Sequence, residues 1–370
     1  MNTIRVGFDG RELQPGVRTG IGRYLREVLR AGERAGWDCI VYGDRSTALP
    51  ADIAALPLKR LRPRLSQWWD QISLPRSLAR DRVSVFLSPY YKGPIRAACP
   101  TVITIHDLLF IEYPGRRRPV YDWVMTRLAC LYADTAHAII ADSEYSKRAI
   151  VTRLGMAADK ITVIPVALGS EFRPMTPSDT VSATYELRAP YILTVGNFLP
   201  HKNMPRLVEA YSRLPATLRG RYRLVLAGRP NDHASALART IETLGLSNRV
   251  SFPGPIADED LPALYAGASL FVFPSLEEGF GLPALEALAC GTPVAASNRA
   301  SIPEVVDTAA MLFDPEDVGA MTVAMEQILT DHDLRERLRR DGLAQAQRFT
   351  AERTTGQVIR LIERVAAEAA

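Results

Sequence analysis

Cysteine is scarce and scattered. Cys39, Cys99, Cys130 and Cys290 are the only four in 370 residues, and no two share a paired or ligand-like spacing, which excludes a disulfide framework and a cysteine zinc site. Apolar runs are short: none approaches the roughly 18 residues needed to cross a bilayer. The opening MNTIRVGFDG meets Asp9 before an apolar stretch develops, so no secretory leader is expected. A full GxGxxG is missing, and no ribose-binding acid follows the second apolar run at the usual distance, which argues against a nicotinamide cofactor. The one DxD-like triplet, Asp258-Glu259-Asp260, precedes an amphipathic stretch, where acids cap free amides and suit the helix dipole. It reads as an N-cap, with no metal site expected. Internal repeats and low-complexity tracts are absent as well. What remains is a globular chain suited to a reducing cytoplasm.

At about 150 residues per domain, the length predicts two domains with ordinary cores. Charge divides them. Residues 1–170 hold 25 Lys and Arg against 16 Asp and Glu, a balance of +9, whereas residues 171–370 hold 20 against 25, a balance of −5. A basic first half suits acidic lipid headgroups, hence peripheral contact with the inner face of the membrane, or a diphosphate-bearing acceptor. Lys59, Arg60, Arg62 and Arg64 before Trp68 and Trp69, and the run Arg116, Arg117, Arg118, sharpen that reading. Tryptophans at a helix start also serve as core, and arginine runs as solvated faces. Nucleic acid is not indicated, because no stacking motif accompanies the charge.

Val- and Ile-rich runs alternate with amphipathic stretches, which predicts an α/β fold of parallel sheets with helices on both faces. Strands are expected at 4–8, 39–42, 83–88, 101–105, 138–141 and 161–164, then at 191–195, 223–227, 249–252, 270–273, 293–296 and 310–313. Helices are expected over 21–35, 120–133, after Ser143, and through most of 318–370. The polar segment 171–190, with three prolines, reads as a linker between domains 1–170 and 191–350. Two doubly wound domains would collect ligands at the carboxyl ends of their strands, in the cleft between them.

The richest segment is FPSLEEGFGLPALEALACGTPVAAS, residues 273–297. Gly279 and Gly281 permit close backbone approach, Pro283 suits a first helical turn, and ALEALA propagates the helix. Such a helix start cradles phosphate oxygens. Glu278 before it and Glu286 a turn inside it would flank that position with acceptors for sugar and ribose hydroxyls. Three further features stand near strand ends. Gly16, Gly20 and Gly22 form a glycine loop before Arg23; His106 and Asp107 close TVITIHDL; Lys202 follows YILTVGNFLPH and precedes a helix, where it could neutralise a leaving diphosphate. His137, His233 and His332 lack convergent partners.

EGFGLPALEALACGTPV, with seven residues between its two glutamates, resembles the donor-site signature of retaining glycosyltransferases of family four. That resemblance implies the GT-B fold of two tandem Rossmann-like domains: an acceptor-binding domain, then a nucleotide-sugar domain, with a final helix, 351–370, crossing back to the first. It implies catalytic roles for His106, Asp107, Lys202 and Glu278. Donor contacts would come from Gly20, Gly22, Arg23, Gly196, Asn197, Lys202, Arg229, Pro253, Glu278, Gly279, Phe280, Gly281, Leu282 and Glu286, and no metal would be required. The family often carries a second basic residue five positions before the lysine. Here that position is Asn197, which throws charge neutralisation onto Lys202, with His201 or Arg23 as substitutes. Asp107 would orient the His106 imidazole or a main-chain amide.

FDGR with TGIGRY, TIHDLLF and VGNFLPHKN is similar to bacterial mannosyltransferases of polysaccharide and lipopolysaccharide assembly. It points to GDP-mannose as donor and a lipid-linked glycan as acceptor, with UDP-sugars open. Retention could proceed by front-face attack or by double displacement, for which Asp9 and Asp107 stay open as the carboxylate. The competing readings are a sugar-nucleotide epimerase or phosphorylase of the same architecture, and a non-catalytic nucleotide-binding module.

Overall fold

The computed structural model describes residues 4–15, 20–61, 68–112, 119–187, 190–229 and 231–369. The chain forms two compact units, residues 1–167 with 351–370, and residues 168–350.

The first unit is built on strands β1 (Arg5–Asp9), β2 (Asp38–Gly43), β3 (Leu58–Arg60), β4 (Val85–Ser88), β5 (Thr101–Ile105), β6 (Ala138–Ala141) and β7 (Ile161–Val163). They pair in parallel in the order β3-β2-β1-β4-β5-β6-β7. The order reverses between β1 and β4, so their carboxyl ends make a topological switch point. VFLS, TVITI and AIIA are buried along their whole length, as strands covered on both faces must be. Helix Gly20–Arg34 packs Tyr24, Leu25, Val28, Leu29 and Gly32, a single stripe at helical spacing, into this core.

Helix Ala351–Glu368 completes that core, with Val358, Leu361, Ile362 and Val365 among Val6, Phe8, Leu25 and Leu29. Its Thr354 hydroxyl donates to the Pro165 carbonyl at 2.8 Å. Burying four such side chains contributes about 1.5–3 kcal/mol each, comparable in sum with the whole stability of a domain. Deleting 351–370 is therefore expected to unfold the first unit. Retention of a cooperative melt and protease resistance in that unit would show that the helix is dispensable.

The second unit holds β8 (Tyr191–Val195), β9 (Arg223–Ala227), β10 (Val250–Gly254), β11 (Leu270–Phe273), β12 (Val294–Ser297) and β13 (Met311–Phe313). These pair in parallel in the order β10-β9-β8-β11-β12-β13, with the switch between β8 and β11. Its core gathers Leu224, Leu226 and Val272 from one face of the sheet, with Leu207, Met325 and Ile328 from the helices that pack on that face.

Three expectations change. Strand β3 was not anticipated. It is a three-residue edge strand, LKR, whose Lys59 pairs with Asp81 at 2.6 Å and whose Arg60 donates to the Thr47 carbonyl at 2.9 Å, so this basic pair serves the fold. Trp69 is buried and Trp68 is 52% exposed, while Arg62, Arg64 and Arg116–Arg118 lie outside the described residues. Segment 171–190 contains helix Asp179–Thr184, with the Ser178 hydroxyl accepting from Val181 N at 3.3 Å, and belongs to the second unit. Asp260 does not cap its helix with its side chain; its Oδ2 accepts from the Tyr185 hydroxyl at 2.8 Å and holds that segment down.

Candidate active site

At the switch point of the second unit, two loops are fastened together by backbone and amide groups. After β8, Gly196 N donates to the Ala227 carbonyl, and Gly228 N to that of Gly254, both at 2.9 Å, which stitches three strand ends together. A short turn, Pro200–Lys202, leads to Asn203 in the left-handed region at φ 58°, a conformation asparagine tolerates. Asn203 Nδ2 donates to the carbonyls of Pro274 (3.1 Å) and Pro315 (2.7 Å), and Leu276 N donates to that of His201 at 2.7 Å. The loop after β8 is thus bound to the loop after β11. As a result Lys202 Nζ lies 2.5 Å from Glu278 Oε1, the two side chains only 12% and 10% exposed. The Ser301 hydroxyl lies 2.9 Å from both the Glu278 and the Phe280 carbonyl oxygens and fixes the loop from behind.

Helix Leu282–Ala289 follows, its N-cap Gly281 at φ 106° and Pro283 in its first turn. Ala284 N donates to the Gly281 carbonyl at 3.1 Å, and Pro283 has no N–H. Of the backbone amides at this helix start, those of Gly281 and Leu282 are left to meet an anion. Glu286 is buried and accepts from the Tyr265 hydroxyl at 3.0 Å.

In the first unit, β5 and β6 run side by side with Ile105 opposite Ala141. The residues after them, His106 and Asp142, therefore emerge together, and His106 Nδ1 lies 2.7 Å from Asp142 Oδ2. Nε2 lies 3.0 Å from the Pro89 carbonyl oxygen, just past β4. Burial opposes the charged imidazole, but the Asp142 charge and hydrogen bond, the Pro89 carbonyl and Asp107 outweigh it and push the pKa up to about 8. At the switch point of this sheet, Arg11 is held between Asp9 (2.6 Å) and Asp70 (2.8 Å), its guanidinium 3.7 Å from the Trp69 ring centroid.

Known proteins match both units. Residues 18–172 match the family described as Glycosyltransferase Family 4, and residues 182–345 that described as glycosyl transferases group 1. The O-antigen chain mannosyltransferase B of Escherichia coli is 38% identical over 264 residues, 70% of this chain and 68% of that protein. The chain is a family 4 glycosyltransferase. The serotype-specific mannosyltransferase WbdA of Escherichia coli is 36% identical over 263 residues; the glycosyltransferase aligns with 68% of its own length but only 32% of that relative. Its fold is that of sucrose-phosphate synthase from Thermosynechococcus elongatus (TM-score 0.79, 20% identity, 99% of this chain and 100% of that one). It also matches Anabaena HepE, solved with UDP and glucose (TM-score 0.77, 21% identity, 98% and 100%).

Within the glycosyltransferase, the expected donor residues separate into groups. Gly196, Lys202, Glu278, Gly279, Phe280, Gly281, Leu282 and Glu286 share the two fastened loops and the helix behind them. Asn197 is exposed, its Oδ1 accepting from Leu199 N at 3.3 Å, and Arg229 is exposed beyond β9. Pro253 lies in β10, two strands from β8. Gly20, Gly22 and Arg23 occupy the first turn of the opening helix of the first unit, not a loop, and Gly16 lies outside the described residues. His201 does not substitute for a missing cation: burial and the Lys202 charge, against the pull of Glu278, push its pKa down to about 4, so it is neutral at pH 7. Of the two roles open to Asp107, the structure gives it the main-chain amide, that of Leu109 at 3.0 Å. Asp142 was missed as the partner of His106. An acid directly after the next parallel strand was the available signal. Among the described residues, no group of three or more His, Cys, Asp or Glu is placed to hold a metal ion, and no helix is long and apolar enough to cross a membrane.

Proposed function

We propose that the enzyme transfers mannose from a nucleoside diphosphate mannose, GDP-mannose first, to a hydroxyl of a lipid-linked glycan, with retention of the α-configuration. The observation that carries this reading is the buried Lys202–Glu278 pair at the switch point of the second sheet. It sets a cation for the leaving diphosphate beside a carboxylate for the hexose hydroxyls. Mannose as the sugar rests on relatives named as mannosyltransferases.

In this scheme the bond from the anomeric carbon to the diphosphate oxygen breaks. A bond to the acceptor oxygen forms on the same face, and the acceptor's proton passes to the departing phosphate. Negative charge grows on that phosphate, where Lys202 and the amides of Gly281 and Leu282 hold it most strongly in the transition state. Glu286, about a turn into the helix, is assigned to the ribose diol. No divalent ion enters the scheme. The first unit is assigned to the acceptor; its basic balance suits a diphosphate-linked glycan at a membrane surface.

Calorimetric titration with GDP, UDP and ADP, with and without EDTA, tests the reading. Binding of GDP at least tenfold tighter than of the others, unchanged by chelator, is the expected result. Preference for UDP would overturn the donor, chelator sensitivity would overturn metal independence, and no binding of any nucleotide would overturn the site.

A further inference from the structure

Both ring nitrogens of His106 face acceptors. Asp142 Oδ2 stands 2.7 Å from Nδ1 and the Pro89 carbonyl oxygen 3.0 Å from Nε2. A carbonyl has no proton to give, nor has an ionised carboxylate. Neutral imidazole carries a single N–H, so it would leave one lone pair pressed against another; imidazolium carries two and satisfies both contacts. We propose that His106 is an imidazolium clamped between Asp142 and the Pro89 carbonyl, with Asp142 its positioning residue, and that it serves transfer as a fixed cation, not as the base that takes the acceptor's proton.

The neighbouring groups agree with a held cation. Asp142, at the end of β6, and Asp107, adjacent in sequence, both favour positive charge on the ring. Tyr24, from helix Gly20–Arg34, meets the ring edge-on at 6.0 Å between centroids. From helix Glu144–Leu154, the Ser146 hydroxyl donates to the His106 main-chain carbonyl at 3.1 Å and fixes the backbone beneath the ring. Removing a proton would cost one of the two clamps, so the ring is a poor acceptor for a substrate proton. The clamp also ties together the chain just past β4, β5 and β6, next to Tyr90, the residue after Pro89, whose ring lies 5.8 Å from the Arg11 guanidinium.

Nitrogen NMR of histidine-labelled, unliganded enzyme tests the protonation state directly and does not depend on the donor assignment. Both His106 nitrogens should be protonated at pH 7, with a midpoint near 8. Asp142→Asn should lower that midpoint by about 1–3 units, and Asp142→Glu should restore most of it. The sign can be checked by melting. With the folded pKa above the ordinary 6.5, the pair's stabilisation is complete below pH 6.5 and lost as pH rises through about 8. The gap in Tm between parent and Asp142→Asn should accordingly close between those values. Only the kinetic arm rests on the transferase reading: kcat/KM should fall on the alkaline side above about 8, and that limb should move to lower pH with the NMR midpoint in Asp142→Asn. A single protonated nitrogen at pH 7 in the parent would overturn the clamp, and a kcat/KM that rises through the His106 midpoint would overturn the fixed-cation role.

Discussion

Glu278→Gln enzyme should bind free nucleoside diphosphate at least as tightly as the parent while losing transfer by about 10²–10³-fold. The split follows from the 2.5 Å contact between Lys202 Nζ and Glu278 Oε1. With both side chains almost enclosed, a phosphate that takes Lys202 must compete with a carboxylate already there. Glutamine keeps the shape and removes the competing charge, so the product nucleotide gains a freer cation. Under the proposed assignment the donor sugar, however, loses its charged hydroxyl acceptor, and hydrogen bonds to ionised groups are about twice as strong as neutral ones. Lys202→Ala should behave in the opposite way: nucleotide affinity and transfer fall together. It also strands Glu278 without its partner, at a cost of about 3–5 kcal/mol for a buried pair. Isothermal titration with the diphosphate beside initial-rate kinetics separates the two. Unchanged transfer in Glu278→Gln would remove the glutamate from the site, and equal losses of binding in both variants would show that the pair acts as one structural unit.

A second large effect is expected one strand away, at a residue with no chemistry of its own. A Cβ on Gly228 would stand 1.8 Å from the carbonyl oxygen of Gly196 and 2.7 Å from its carbonyl carbon. Both are backbone atoms, so no side-chain rotation relieves the clash. Gly228→Ala should therefore destabilise the second unit by about 3 kcal/mol or more and abolish nucleotide binding, since Gly196 leads into the turn that carries Lys202. Gly245→Ala is the matched control. Gly245 also has positive φ, 67°, but nothing lies within 4 Å of its would-be Cβ, so it should cost only the left-handed penalty of about 1–2 kcal/mol. Denaturant melts of the three proteins decide the matter; similar midpoints for the two variants would mean that the strand ends are looser than this packing requires.

These cases mark the boundary between what could be read from the chain and what could not. Among the described residues, twelve of the thirteen strands announce themselves as apolar runs, and TVITI and AIIA, buried along their whole length, fall within the expected bounds. LKR at 58–60 does not, because an edge strand needs no apolar side chains to pair with one neighbour. The glutamates and Lys202 stood out because charge occurs there beside the glycine and proline of a helix start, and Gly281 at φ 106° does open helix Leu282–Ala289. Their mutual contact was not, since it spans 76 positions and depends on Asn203 bridging two loops. The partner of His106 required the register of two strands, Ile105 against Ala141, and local sequence favoured the adjacent Asp107 instead. His201 looked like a spare cation beside Lys202, yet burial and the Lys202 charge push its pKa down to about 4 and keep it neutral. Chemistry fixed by residue type was visible in the sequence; chemistry fixed by neighbours was not.

The helix at 351–368 has a consequence in time. The first unit is interrupted by the whole of the second, residues 168–350, before Val358, Leu361, Ile362 and Val365 arrive to close its core. A ribosome adding about 5–20 residues per second needs roughly 10–40 s to cross that interval. For that long the nascent first unit has helix Gly20–Arg34 but lacks the four side chains that complete its core, whereas the second unit, contiguous in sequence, is complete as soon as residue 350 is made. The half of the enzyme that is made first is therefore the half that finishes last.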